Sequence, residues 1–564
     1  MNSAGTDRAA RDRTAGGPSA PGVAGQSRPQ GRWAAAGARI APAVVPAAAG
    51  TTLGLWGLAR DSSVGNDEAA TRYAALLSLR QLAHLLRHVD VVHGTYYLLM
   101  HGWAAVGTSP AVLRIPSVIA MCVAVALTAV LAARLSQSGW AGLFAGLVMA
   151  LTPVVSYYAQ TARSYALVFA CVVGATFALV AALDAETSQA ALARVRRRWL
   201  LYALLIAVAG YLNEMSLLVL AAHAVTVLLG RYRTVVLRRW ALAGAAGAAL
   251  VAPLALISLR QHAMISWIGR PGPTDLRILF QDFVAVTPAA AALLVACAIV
   301  AVLPGRPDRA GAAAADGAGP SAAAARAQPA KWWLQGGISL PSVAVPLLIV
   351  PALILFVESL VARPLYVDRY VLFGEAGAAL LVGAGLYRIG RWLGTMTSRR
   401  HLVWLPGAIV CLAVLLLQIA PQQRIRTPQS RLFNFTGPAR YIGANARPGD
   451  GVLFFDTFFR KDRLVYARDF ANTSDFGQAA SPQQAGTFRG TDKPFAILRP
   501  LLLEHRRIWV VGMAPSPRLP ATLLRQQSVA LIRHFTLVRE RRFKGIDVTL
   551  WVRRSGPASQ GPSG

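Results

Sequence analysis

Eleven apolar runs follow one another along this chain: Ile40–Leu58, Val112–Leu135, Trp140–Val155, Ala166–Leu183, Leu200–Leu212, Met215–Leu229, Leu242–Leu259, Val284–Leu303, Ser339–Val357, Gly374–Tyr387 and Leu402–Ile419. A helix that crosses a bilayer needs roughly 20 mostly apolar residues. A water-soluble core has no need of such runs in series, so the pattern predicts a membrane all-α fold of about eleven transmembrane helices over residues 39–420. Residues 1–38 are rich in Gly, Pro, Ser and Arg and lack apolar periodicity, so they read as a disordered N-terminus. All four cysteines fall inside apolar runs, where they read as small packing residues.

The 564 residues carry 57 Lys and Arg against 25 Asp and Glu, a formal net charge of +32. On a soluble chain that balance would suggest nucleic acid. Here the basic residues cluster in short segments between apolar runs, as cytoplasmic loops do, and no nucleic-acid partner is expected. The stretch Leu200–Leu229 has arginines at both flanks, from Arg194 to Arg198 and from Arg231 to Arg239. Both ends therefore favour the cytoplasm, which two passes or a re-entrant hairpin meeting at Asn213 and Glu214 satisfy and a single pass does not. Residues 304–334, Ala/Gly/Pro-rich and basic, read as a flexible cytoplasmic loop. With the N-terminus inside, residues 421–554 fall outside as an extracytoplasmic domain and 555–564 as a disordered tail. The expected location is the plasma membrane, crossed many times.

On this topology the outer loops collect most of the histidines and many of the tyrosines. The first, 59–111, begins Gly65-Asn66-Asp67-Glu68 and continues amphipathically to Arg87, with Leu76, Leu77, Leu79, Leu82, Leu85 and Leu86 apolar. That pattern suits interfacial helices that lie along the membrane surface. A second amphipathic piece, His93–Trp103, precedes the second span. Asp67 and Glu68 sit at a helix start, where carboxylates are favoured whatever their chemistry.

These stretches together resemble the bacterial branch of the GT-C glycosyltransferases, similar to protein O-mannosyltransferases and the lipid A aminoarabinose transferase. The resemblance is carried by Asp67-Glu68 after the first span, then His93–Leu99, Leu113–Ser117, Tyr157–Ala166 and Arg363–Tyr370, in order between Ile40 and Ile419. It implies a bacterial cell-envelope enzyme of GT-C type that transfers a sugar from a polyprenyl-phosphate donor to a hydroxyl acceptor on the extracytoplasmic face, with inversion. Mannose is the expected sugar by family frequency. The acceptor stays open between a protein, a glycolipid and a wall polysaccharide.

The resemblance also assigns roles. An acceptor hydroxyl needs a positioned base, and Asp67 is that base, with Glu68 supporting it or binding the acceptor. The departing phosphate needs fixed positive charge, which forked guanidinium donors supply; Arg163, Arg369 and Arg363 are the candidates. His93, Tyr96, Tyr158, Tyr165 and Tyr370 are candidates to flank the sugar or the isoprenoid. No cofactor is expected, and no metal, because Gln160 and Arg163 stand where a metal-using relative would show an acid. Relatives carry a His at the tip that Asn213 and Glu214 occupy here, so no role is carried over there. The alternative, a carrier or flippase for a lipid-linked saccharide, calls for ionisable groups deep inside the spans, and these interiors are nearly free of charge.

From Pro421 the composition becomes that of a water-soluble domain. Val452–Phe455, Arg507–Val511 and Val548–Val552 read as buried strands with helical stretches between them, a small α/β domain. Asp456 follows the first strand and reads as a turn aspartate.

Overall fold

The computed structural model describes residues 29–60, 64–304, 337–512 and 521–554. Most of the N-terminus, the basic linker and the tail expected to be disordered or flexible lie outside the described residues. The first helix, α1 (Pro29–Leu55), already begins at Pro29, so residues 29–38 are helical where disorder was expected. Trp33-Ala34-Ala35-Ala36 accounts for the extension, since Ala is the strongest helix former.

The eleven apolar runs fall on helical segments, with Trp140–Val155 split over two helices and Met215–Leu229 over a 3-10 turn and a helix. The eleven expected spans are not all present as membrane-length helices among the described residues. Among the described residues, six helices are long and apolar enough to cross a membrane, or up to eight if each bent pair counts as one span. The six comprise α5 (Pro110–Ser136), α8 (Tyr165–Thr187), α11 (Thr234–Arg260), α14 (Leu340–Val361), α15 (Glu375–Met396, with the preceding turn from Asp368) and α16 (Leu405–Arg424). The bent pairs are α6 (Gly139–Leu151) with α7 (Pro153–Ala159), at 67°, and α12 (Pro273–Phe283) with α13 (Pro288–Val302), at 72°. In the first pair the break falls at Pro153, which cannot donate the backbone bond a straight helix needs there. That bend turns the chain out of α6 toward Gln160 and Arg163.

The Leu200–Leu229 stretch is two helices, α9 (Leu192–Leu212) and α10 (Val219–Leu229), joined by a 3-10 turn at Glu214–Leu218. Asn213 Oδ1 accepts the Met215 N–H at 3.0 Å, and Glu214 Oε2 accepts the Ser258 hydroxyl at 2.8 Å. The tip residues therefore hold the turn and tie it to α11.

Helices in a bilayer associate through close backbone packing, which favours small residues at the contact. A Cβ on Gly377 of α15 would lie 2.5 Å from the Ala344 carbonyl oxygen of α14, and one on Gly383 would lie 2.6 Å from that of Ala141 in α6. One on Gly385 would enter the Cys297 carbonyl of α13. Leucines on α9, α11 and α16, such as Leu200, Leu204, Leu242, Leu412 and Leu416, are exposed instead, a surface suited to lipid.

The loop read as interfacial is built from α2 (Asn66–Leu76), α3 (Leu79–His88) and α4 (Gly94–Trp103). Leu82 and Leu85 of α3 pack inward while Leu79 stays exposed. The end of α1 is held by two distant side chains: Gln160 Nε2 donates to the carbonyls of Gly54 and Trp56 at 2.9 and 2.8 Å, and Arg426 Nε donates to Trp56 O at 2.6 Å. Helix carbonyls left open by the end of the spiral are thereby satisfied.

The C-terminal region carries a five-stranded mixed sheet, ordered β2-β1-β5-β7-β6, with β1 (Asp450–Phe454), β2 (Thr473–Asp475), β5 (Arg507–Gly512), β6 (Phe535–Phe543) and β7 (Ile546–Arg553). Strand β1 pairs in parallel with β2 and β5, and β7 runs antiparallel to β5 and β6. The three strands expected from the sequence are β1, β5 and β7. The short strands β3 (Gln478–Ala480) and β4 (Thr491–Asp492) form a separate antiparallel pair. Asp456 caps the turn after β1, its Oδ1 accepting the Phe458 N–H at 2.8 Å.

Candidate active site

Asp67 and Glu68 share the first turn of α2 but face different surroundings. Glu68 is buried and fully partnered: Arg114 Nε donates to Oε1 at 2.7 Å and Arg114 Nη2 to Oε2 at 2.9 Å. The backbone N–H of Ala162 donates to Oε1 at 3.0 Å and that of Gly65 to Oε2 at 3.0 Å. Arg431, from the segment after α16, lies 3.6 Å from Oε2 and also donates to Thr161 Oγ1 and Gln160 O. Burial raises the Glu68 proton affinity, but Arg114 and Arg431 outweigh it and hold the carboxyl at about 2. Glu68 thus ties α2, α5, the loop before α8 and the segment after α16 to one point.

Asp67 is less enclosed. Asn66 Nδ2 donates to its Oδ1 at 3.3 Å, and among the described residues no other hydrogen bond reaches its carboxylate. Burial raises this carboxyl too, and the positive charges of Arg163 and Arg369, followed by Lys461, bring it down to about 2. A carboxylate that makes one side-chain hydrogen bond inside such a field keeps acceptor capacity for a further donor.

Arg163 is buried, with Nη1 donating to Tyr97 Oη at 2.7 Å and Nη2 3.4 Å from Asp90 Oδ2. Its Nε is buried without a partner among the described residues, an open donor in a guanidinium otherwise held. The Tyr97 hydroxyl donates in turn to Asp90. Asp90 adopts the left-handed conformation, φ 57°, ahead of the turn Val91–His93, a conformation Asp tolerates better than most residues. His93 is buried with Nδ1 unpartnered among the described residues and Nε2 3.9 Å from Asp90 Oδ1. Burial and the neighbouring Arg163 push its ring down to about 4, so it is a neutral imidazole near pH 7.

Arg369 donates from Nε to Tyr165 Oη at 2.9 Å, and its guanidinium carbon lies 5.7 Å from the Tyr165 and Trp267 ring centres and 5.8 Å from that of Tyr370. Tyr165 also meets Tyr158 edge to face, centroids 5.5 Å apart. A cleft of about 270 Å³, lined by Trp267, Arg270, Asp275, Ile278, Tyr366 and Asp368, opens beside this aromatic cage.

The structure therefore brings Asp67, Arg163, Arg369 and His93 together, with Tyr158, Tyr165 and Tyr370 around Arg369. Arg363 is exposed outside this group. Tyr96 is fully buried in the packing core behind α4. Among the described residues no three His, Cys, Asp or Glu side chains converge as metal ligands would. Sequence reasoning missed Arg114, Asp90, Arg431 and Lys461. Arg114 carried a signal, being a lone charge at the start of an apolar run, and such a residue is seldom without a partner.

Lys461 comes from the C-terminal region, on α17 (Arg460–Val465). It is buried, with Nζ donating to Asn66 Oδ1 at 2.5 Å and lying 4.8 and 5.5 Å from the Phe458 and Phe488 ring centres. Burial, reinforced by Arg489, lowers its proton affinity to about 7. The same helix is anchored to the loop helices by Arg72, whose Nη1 donates to Val465 O at 2.6 Å.

No protein-family model and no curated protein sequence matches this chain. Among solved structures the chain is similar to ArnT from Cupriavidus metallidurans in the apo state, with a TM-score of 0.54, 14% identity, and 92% of this chain and 98% of that one covered. The same protein bound to undecaprenyl phosphate matches with a TM-score of 0.52 at 13% identity, covering 90% and 97%. The oligosaccharyltransferase of Archaeoglobus fulgidus, tethered to an acceptor peptide, matches with a TM-score of 0.46 at 11% identity, covering 93% and 75%. The chain shares the ArnT fold over nearly the full length of both proteins.

Proposed function

We propose, from this fold and site, that the chain is a membrane glycosyltransferase that moves a sugar from a polyprenyl-phosphate donor to a hydroxyl acceptor. The observation that carries the reading is Asp67 itself, a carboxylate with one side-chain hydrogen bond, ringed by Arg163, Arg369, His93 and Lys461. The similarity to a structure that holds undecaprenyl phosphate supports the donor class.

The acceptor oxygen attacks the anomeric carbon while the bond from that carbon to the phosphate oxygen breaks. The hydroxyl proton passes to Asp67, and the polyprenyl phosphate leaves with the bonding pair. Configuration inverts in this single displacement.

At a pKa of about 2, with only these cations around it, Asp67 is a weak base. The same cations that hold it there suit a phosphate, and Arg163 Nε is an unused donor for one. Pairing them with the donor phosphate cancels their pull on Asp67 and raises its proton affinity when the acceptor needs it. The neutral His93 ring and the Tyr158, Tyr165 and Tyr370 cage then flank the sugar or the first isoprene units. The cleft beside Trp267 is the approach for the donor. Glu68 acts by positioning, because its oxygens are already taken.

Eleven spans, a cytoplasmic N-terminus and an extracytoplasmic C-terminal domain complete the reading. They put the site at the outer surface of the plasma membrane. Mannose is the first sugar to try.

The test is sugar transfer in membranes supplied with radiolabelled polyprenyl-phosphate mannose, wild type against Asp67→Asn at matched expression. Transfer by wild type and loss in the variant supports both donor class and base. Equal transfer by the two proteins removes Asp67 as the base.

A further inference from the structure

The side chain that reaches Asn66 comes from 395 residues further along the chain. Lys461 is buried, and its ammonium points to the residue next to Asp67. An ammonium has three donors and no acceptor, whereas the Asn side chain has a carbonyl and an NH2 group. In its protonated form Lys461 can therefore contact only the Asn66 carbonyl, and its Nζ lies 2.5 Å from that oxygen. With Oδ1 fixed toward Lys461, the NH2 group is turned toward Asp67 Oδ1, 3.3 Å away. One Asp67 oxygen is thereby engaged and the other left for the acceptor.

We infer that Lys461 is a positioning residue: through Asn66 it orients the Asp67 carboxylate, so the C-terminal domain completes the transfer site. The inference rests on the glycosyl-transfer reading for its role and on the Lys461–Asn66–Asp67 chain for its geometry.

The placement is costly to the fold, which argues that it is there for another purpose. Arg489 and Arg163 repel the buried ammonium, and Asp67 and Asp90 attract it. The net result, with burial the largest contribution, is a proton affinity lowered to about 7. Below pH 7 the folded protein carries this buried charge at a penalty that the unfolded chain does not bear. Phe458 and Phe488 offer the cation ring faces, and no described carboxylate lies within ion-pair distance of it. Arg72, donating to Val465 O, docks the same helix on α2.

The experiment uses the full chain in nanodiscs and compares wild type, Lys461→Met, Asn66→Ala, the double variant and Asp67→Asn. With transfer measured, Lys461→Met is expected to lower kcat on the order of 10–100-fold while donor KM stays within about twofold. In the Asn66→Ala background the same substitution should cost nothing more, as two links of one chain do. A full additional loss in that background, or an effect on donor KM alone, overturns the inference.

A second arm needs no donor. At pH 6 Lys461→Met should raise the unfolding temperature, and raise it further in Asp67→Asn, where the ammonium has lost its nearby anion. Equal shifts in the two backgrounds overturn the linkage. Wild type that moves no sugar from any polyprenyl-phosphate donor refutes the glycosyl-transfer reading, and the unfolding arm still decides whether Lys461 and Asp67 are coupled.

Discussion

Glu68 and Arg114 close a two-bond ion pair between α2 and α5, Nε to Oε1 at 2.7 Å and Nη2 to Oε2 at 2.9 Å, with both side chains buried. Asp67, the next residue back, makes one side-chain hydrogen bond. Adjacent carboxylates are thus divided between holding the fold and facing the cations. Removing Arg114 leaves the buried Glu68 carboxylate with Arg431 at 3.6 Å and two backbone N–H groups, and breaking a buried pair of this kind costs about 3–5 kcal/mol. Arg114→Met should therefore yield little folded protein and a sharply lower unfolding temperature in detergent.

Asp67→Asn has the opposite profile. It keeps the shape of the side chain and removes its basicity, so transfer should fall by roughly 10²–10⁴-fold. The variant should still fold and bind polyprenyl phosphate, with an unfolding temperature lowered near pH 7, because a carboxyl held at about 2 stabilises the fold there. Loss of folding together with loss of transfer would count against a chemical role.

Arg163 and Arg369 should separate from Asp67 by what they change. Arg369→Gln removes the charge that sits among Tyr165, Trp267 and Tyr370, and polyprenyl-phosphate affinity should drop about tenfold or more, since charge-assisted bonds contribute about 1.5–3 kcal/mol. Arg163→Lys keeps the charge but loses the forked donors, and should show an intermediate loss. Direct binding of labelled lipid phosphate reads both. Arg363→Gln, at an exposed position, serves as the contrast, with binding unchanged.

The acid limb of stability follows from Glu68. Its carboxyl falls from an ordinary value of 4.5 to about 2 in the folded protein. A depressed carboxyl stabilises the fold above its unfolded pKa, and that contribution disappears as pH falls through the folded value. The gap in unfolding temperature between wild type and Glu68→Gln should be constant above about pH 5 and close as pH falls toward 2. A gap that widens on acidification contradicts the assignment of Arg114 and Arg431 as its partners.

Gly385→Ala tests the helix packing independently of the chemistry. The new methyl group would meet the Cys297 carbonyl of α13, and overpacking of this kind costs about 1–3 kcal/mol. A lower unfolding temperature with donor affinity retained in the folded fraction is the expected result.

Several of these relationships were legible before any fold was known. The amphipathic leucines of the first outer loop predicted a helix with one apolar face, and on α3 Leu82 and Leu85 are buried while Leu79 is exposed. The arginine flanks of Leu200–Leu229 required two segments, and α9 and α10 meet at Asn213 and Glu214. The start of α1 was misjudged because a polar, Gly-containing approach hid an Ala-rich helical stretch. Arg363 was a third choice behind Arg163 and Arg369, drawn from the same motif as Arg369, yet only Arg369 turns into the aromatic cage. A motif records neighbours along the chain, and the cage is made by Tyr165 and Trp267 from elsewhere.

Through a family resemblance the sequence pointed to the pair Asp67-Glu68, and by itself it determined the membrane class, the order of helices and the three central strands of the C-terminal sheet. Those features are local: hydrophobic length, alternation and helix-start chemistry act within a few residues. Only the tertiary structure decided which carboxylate is enclosed, because Arg114, Arg431 and the Ala162 N–H reach Glu68 from three separate segments. It alone also brought Lys461 to Asn66 across 395 residues. A charge takes its character from whatever packs around it, and contacts between distant segments leave no period in the chain that could announce them.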